Sequence, residues 1–246
     1  MTHHPTVLVV QHEPDTGPGW FGVWLADAGL ALDARHPYAG DDLPGLDGYA
    51  GLLVLGGAMG PADDERCPWL PGTRSLLAAA VERGVPAFGI CLGAELLALA
   101  CGGAVRRAAA PELGVQLVTL RPESSDDPVF GGLPDTVEVL QWHWEEIASL
   151  PEGAVWLAEG TACPHQVFRV GAAAWGVQGH PEVTTPIATG WARQDSPLVQ
   201  AVGLDPAALV GEMAEREVSL AQTWRPVAER FAGVVHEYAG ARPRHH

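Results

Sequence analysis

FGICLGAELLALACG, residues 88–102, joins one apolar run to another through Gly89-Ile90-Cys91-Leu92-Gly93. The run before the joint, Val85 to Ile90, is continuous and apolar, as in a strand covered on both faces. The run after it, Leu92 to Ala100, stops at Gly102-Gly103, as a helix does. A strand entering a helix with a cysteine at the joint is an α/β unit. Glycines on either side of Cys91 let the backbone turn tightly and let the helix approach closely. Such a turn holds the sulfur at the carboxyl end of the sheet, where open α/β sheets place their sites. It also sets the sulfur at a helix N-terminus, whose partial positive charge favours a thiolate. A lone G-x-C-x-G equally suits a buried structural cysteine.

Outward from this joint the same alternation repeats. Thr6 to Val10, Leu30 to Ala34 and Gly51 to Leu55 read as strands, with helices at Trp20 to Ala28 and Ser75 to Arg83. Strand and helix in alternation, with continuously apolar strands, mean a parallel sheet covered on both faces. Beyond Gly103 the pattern changes. Gly114–Leu120, Val137–Leu140, Ala154–Ala158, Gln166–Val170 and Ala173–Val177 are strands without long helices between them, as in an antiparallel extension. Two helical stretches close the chain, Ala207 to Ala221 and Pro226 to Tyr238. The expectation is one α/β domain over residues 1–246, doubly wound, its mostly parallel sheet flanked by helices. Its core spans 5–185 and its C-terminal helices 206–240.

Composition excludes several partners. A formal net charge of −16 repels nucleic acid and anionic membrane. Hydrophobic residues at 47% with nine tryptophans support a sizeable core, not disorder. No stretch reaches the ~18 apolar residues of a membrane span, and MTHHPTVLVVQ lacks the basic start of a signal peptide. A cytoplasmic protein with reduced thiols is expected, and the Ala, Gly, Pro and Arg bias suits a high-GC bacterial genome. Cys67, Cys101 and Cys163 lack a glycine elbow and read as core or loop thiols. No HExxH, P-loop or GxGxxG occurs, and Asp63-Asp64-Glu65 reads as a solvated loop, so neither cofactor nor metal is expected.

Two further segments end apolar strands. Gln178-Gly179-His180-Pro181-Glu182 follows Ala173–Val177. If that strand runs on to Glu182, His180 and Glu182 point to one side, a base oriented by a carboxylate. Leu55-Gly56-Gly57-Ala58-Met59-Gly60 ends another strand, and its N–H groups could receive a developing oxyanion. Taken singly, these are a loop histidine and a glycine turn. His12-Glu13 could line the same rim or serve only the turn.

Together, GICLGAE, GHPE and LGGAMG, in their order, resemble the class I (triad) glutamine amidotransferase family. Flanking stretches such as QHEPDTGPG, PELGVQLVTL, QWHWEEIASLPEGA and ACPHQVFRVG are similar to its stand-alone branch, like the amidotransferase part of GMP synthase. The resemblance covers nearly the whole chain and implies a flavodoxin-like fold. It implies Cys91 as nucleophile, His180 as general base and acid, Glu182 as orienting carboxylate, and Gly57 and Leu92 as oxyanion donors. The implied reaction hydrolyses the side-chain amide of glutamine through a γ-glutamyl thioester. Because no synthetase segment is present, the ammonia acceptor would belong to a partner.

Departures from the family pattern fall around the substrate. Glu95 stands where Gln is usual, Gly179 replaces an aromatic residue, and Trp142-His143-Trp144-Glu145 replaces W-H-G-D. Gly56, Glu95, His143, Trp144 and Glu145 are therefore candidate substrate contacts, although Trp144 and His143 also suit packed core positions. A carboxylate at 95 repels an α-carboxylate strongly where water is excluded. Glu95 then faces water, is protonated, or meets a cationic or neutral group of a different substrate, such as a γ-glutamyl peptide or amide. A non-catalytic relative that binds through the same cleft is the reading outside enzymology, and retention of Cys, His and Glu argues against it.

Overall fold

Alternation along each central strand sorts side chains to two faces. Val7 and Val9 of β1 (Thr6–Val10) share a core with Phe21, Trp24 and Leu25 of α1 (Gly19–Asp27). Leu8 and Val10 instead join Leu77 and Ala80 of α2 (Leu70–Arg83) on the other face. The computed structural model describes residues 4–241, and the His245-His246 pair lies outside them.

Among the described residues the sheet has nine strands. Five are parallel, in the order β2 (Ala31–Arg35), β1, β3 (Gly51–Val54), β4 (Ala87–Ile90), β9 (Ala174–Val177). It continues antiparallel through β8 (His165–Val170), β7 (Val155–Glu159), β5 (Ala104–Leu120) and β6 (Thr136–Ser149). With α3 (Leu92–Ala100) beside α2, and α1 beside α6 (Pro206–Ala241), the parallel half is doubly wound. A third core under the antiparallel half joins Leu113, Leu140 and Trp142 to Trp191 of α4 (Thr185–Gln194) and Met213 of α6. No helix among the described residues is long and apolar enough to cross a membrane.

Four elements differ from the pattern reading. Helix α2 starts at Leu70, five residues before the expected Ser75, because Pro71 suits a first turn. Strands β5 and β6 are far longer than their apolar cores. Their ladder crosses an irregularity between Arg107 and Glu112, where alternation is lost. Residues 185–201, left between the expected core and tail, form α4 and α5 (Ser196–Ala201). The two expected C-terminal helices are one helix, Pro206–Ala241, with Pro226 inside. Burial of Trp224, Val227, Ala228 and Phe231 on either side holds the turn that the missing N–H weakens.

Candidate active site

Cys91 begins where β4 stops. It has φ +50° and is the one non-glycine residue at positive φ among the described residues, a conformation that costs energy and persists only when its surroundings hold it. Those surroundings are the flanking glycines. A Cβ on Gly93 would lie 2.1 Å from the Val54 carbonyl oxygen, and one on Gly89 2.5 Å from that of Gly93. The Cys91 N–H donates to Val177 O at 2.8 Å, and its carbonyl accepts from Glu95 N–H at 3.0 Å, starting α3.

The histidine reaches the same place by a different route from the one expected. Strand β9 ends at Val177 and does not continue to Glu182. Beyond it the His180 N–H donates to Leu140 O at 2.8 Å, and the Trp20 N–H to Glu182 O at 2.8 Å, so both backbones are pinned. His180 Nδ1 and Glu182 Oε1 lie 2.8 Å apart, with both residues buried. An ionised carboxylate only accepts, so the proton sits on Nδ1 and Nε2 offers a lone pair. That Nε2 has no hydrogen-bond partner among the described residues. The Trp191 ring packs edge-on against the imidazole, centroids 4.7 Å apart.

Cys91 and His180 line one cavity of about 180 Å³. Gly56 lies between them: a Cβ there would be 3.0 Å from His180 Cε1 and 3.7 Å from Cys91 Cβ. Gly57 also lines the cavity, with Leu92 packed behind it. The Leu92 N–H faces the sulfur, whereas the Ala58 N–H is taken by Glu13 Oε1 at 2.5 Å. Glu13 thus lines the rim, while His12 is fully buried. Burial pushes the His12 ring down to about 4, so it is neutral, with Nδ1 accepting from Trp69 Nε1 at 3.0 Å.

The expected thiolate is not the resting state. Burial, then the charges of Glu95, Glu182 and Glu145, push the Cys91 thiol well above its ordinary value, and the Leu92 N–H offsets this only in part. Glu95 does not face water. It is 3% exposed, and Oε1 accepts from Gln178 Nε2 at 3.0 Å. Burial raises its carboxyl to about 7, against the Gln178 hydrogen bond and the His143 charge.

His143 is held on both nitrogens, by Glu145 O at 2.7 Å and by Gln141 Oε1 at 3.0 Å, with Glu112 Oε2 3.2 Å from Nε2. Trp144 and Glu145 line the cavity, and Glu145 pairs with Arg107 at 2.9 Å. One group among the described residues has metal-compatible spacing, Glu112, His143 and Cys163, with donor atoms within 4.8 Å of one another. Its donors already serve a buried network in which Gln166 Nε2 reaches Glu112 at 2.7 Å and Gln141 reaches Gln166 at 2.7 Å.

Pattern reading missed the wall beside His180. Trp191 and Asp195 come from α4 and its end, and the Trp142 Nε1–H donates to Asp195 at 2.8 Å. The signal that could have found them was Thr184-Thr185-Pro186, an N-cap with a first-turn proline.

The assembled set is a thiol, an imidazole with one free nitrogen, an orienting carboxylate and nearby backbone donors, the parts that nucleophilic acyl transfer requires. Comparison with known proteins agrees in kind. The family model for glutamine amidotransferase class-I matches residues 33–189. The chain is 32% identical over 171 residues to the amidotransferase component of glutamine-hydrolyzing GMP synthase from Thermoplasma acidophilum, covering 69% of this chain and 82% of that protein. It is 25% identical over 185 residues to gamma-glutamyl peptidase 3 of Arabidopsis thaliana, covering 69% and 71%. Among solved structures, a glutamine amido transferase from Methylobacillus flagellatus superposes with a TM-score of 0.84 at 28% identity, covering 99% of each chain. With the matched span, the mixed sheet and the elbow in agreement, this chain belongs to the class I glutamine amidotransferase family.

Proposed function

We propose that the chain is a cysteine-dependent amidohydrolase that cleaves a side-chain amide through a γ-glutamyl thioester. The observation that carries this reading is His180: Nδ1 is committed to Glu182, while Nε2 is unpartnered on a residue that shares its cavity with Cys91. In this reading His180 Nε2 takes the thiol proton as sulfur attacks the amide carbon. Because the resting thiol is neutral, attack and proton transfer are coupled. The Gly57 and Leu92 N–H groups receive the developing oxyanion. His180 then protonates the leaving nitrogen, the C–N bond breaks, and water hydrolyses the thioester to release glutamate. Glu182 fixes the tautomer and steadies the imidazolium.

Free glutamine is the first substrate to test, with ammonia passing to a synthetase partner. A second reading, hydrolysis of a γ-glutamyl amide or peptide, is favoured by the buried Glu95, which disfavours an α-carboxylate beside it once ionised. Arg107 is the one arginine among the described residues that line the cavity, and it would take that carboxylate instead. Steady-state amide hydrolysis separates these readings from inactivity. Cys91→Ala and His180→Asn are expected to lower kcat by more than about a thousandfold, and Glu182→Gln by about tenfold to a hundredfold. Failure of Cys91 to react with a glutamine-mimicking alkylator, together with no turnover of any amide, would sink both.

A further inference from the structure

The leaving group of a thioester-forming amidase departs towards its proton donor, and here the surroundings of that donor are unusual in charge. His180 packs against Trp191, centroids 4.7 Å apart, and Trp191 lies 6.2 Å from Trp142. The indole N–H of Trp191 donates to Asp15 O at 3.1 Å, and that of Trp142 to the Asp195 carboxylate at 2.8 Å. Both tryptophans, Asp15, Asp195 and Glu13 line the cavity. These acids are close enough to interact: burial first, then the charges of Asp15 and Asp195, raise the Glu13 carboxyl. The arginine of the lining, Arg107, is paired with Glu145.

Ammonia released from glutamine would use none of this wall. Two indole faces and three carboxylates suit an ammonium group held by cation–π and ion-pair attraction. The acids alone would not make a site. The independent sign of a ligand is His180, 5% exposed, with its Nε2 unpartnered and its ring lining the same cavity.

We propose that the substrate is a γ-glutamyl amide whose leaving amine carries a second ammonium group, an aliphatic diamine or polyamine, seated between Trp142, Trp191 and the carboxylates of Glu13, Asp15 and Asp195. The inference rests on the amidohydrolase reading above and specifies its leaving group. Cys91 sulfur bonds to the γ-carbon, the C–N bond breaks, and the leaving nitrogen takes the proton held by His180. Water then cleaves the thioester, so that amide and water become glutamate and diamine with no other reactant. An anionic leaving group is repelled by the same wall.

The test compares two isosteres, γ-glutamyl-1,4-diaminobutane and γ-glutamyl-pentylamide, which differ by ammonium against methyl, with glutamine alongside. The expected kcat/KM for the diamine amide exceeds that for the pentylamide at least tenfold. That ratio falls several-fold in Asp195→Asn, which keeps an acceptor for Trp142, and in Asp15→Asn, and it shrinks with added salt. Calorimetric binding of both isosteres to Cys91→Ala reads the preference without turnover. Equal kcat/KM and equal affinity overturn the inference, and Cys91-dependent hydrolysis under those conditions leaves the amidohydrolase reading standing. No hydrolysis of any amide, with Cys91 unreactive, removes that reading and the inference with it.

Discussion

At position 95 a carboxylate stands inside the protein, 3% exposed, in the first turn of α3. Its carboxyl is raised to about 7 by burial, against about 4.3 in an unfolded chain. Between those values the native state binds more protons than the unfolded one, so this group makes stability fall as pH rises. The loss begins near the unfolded value and is complete above about 7, amounting to roughly 3–4 kcal/mol. Glu95→Gln retains an acceptor for Gln178 and removes the titration. It is expected to raise Tm at pH 8 by several degrees and to change it little at pH 4.5. The same variant is expected to raise kcat/KM for glutamine at pH 8 by at least tenfold, and by less at pH 6, where the native acid is mostly neutral. Equal effects at the two pH values would show that charge at 95 is not what limits glutamine. The sequence made Glu95 legible as an acid out of place. Its burial was not legible, because its covers, Gln178 and His143, come from strands far along the chain.

Elements decide how closely these residues meet. The elbow was legible because its requirement is local: a cysteine at positive φ needs small neighbours, and Gly89 and Gly93 are adjacent in sequence. Gly93→Ala tests that requirement. The new Cβ would meet the backbone oxygen of Val54, 2.1 Å away, and β3 is clamped between β1 and β4, so it cannot yield cheaply. We expect a loss of at least about 3 kcal/mol in denaturant unfolding, with kcat falling in whatever protein still folds. An unchanged midpoint would mean the elbow relaxes freely. Helix α4 shows the opposite case. It is a ten-residue helix whose buried face, Ala188, Trp191 and Ala192, is matched by partners on β6 and α6. Without those partners no periodic stretch stood out, and Trp191 and Asp195 went unnoticed. His180 and Glu182 fall between these cases: their pairing was legible from spacing, but a turn pinned by Leu140 and Trp20, not a continued strand, brings them together.

Across the whole molecule, the family match at residues 33–189 is not a folding unit. That span omits β1, which sits between β2 and β3, so the parallel half could not close without residues 6–10. It also omits α6, which covers one face of the sheet. Phe231 meets Phe88 at 5.4 Å and Trp175 at 6.1 Å, and Trp224 meets Phe130 at 6.3 Å, so α6 touches β4, β9 and the segment before β6. Trp224, Val227, Phe231 and Val235 are all buried, and each contributes about 2 kcal/mol on burial. Their sum approaches the roughly 5–15 kcal/mol that separates native from unfolded domains. A chain ending at residue 205 would leave Phe88, Phe130 and Trp175 open to water. It is expected to lose cooperative thermal unfolding and to bind a hydrophobic dye, whereas a chain ending at residue 241 should melt like the full length. A sharp transition in the shorter chain, with tryptophan emission still blue-shifted, would mean that the sheet is stable without α6 and that the helix serves only to support α4 and the wall beside His180.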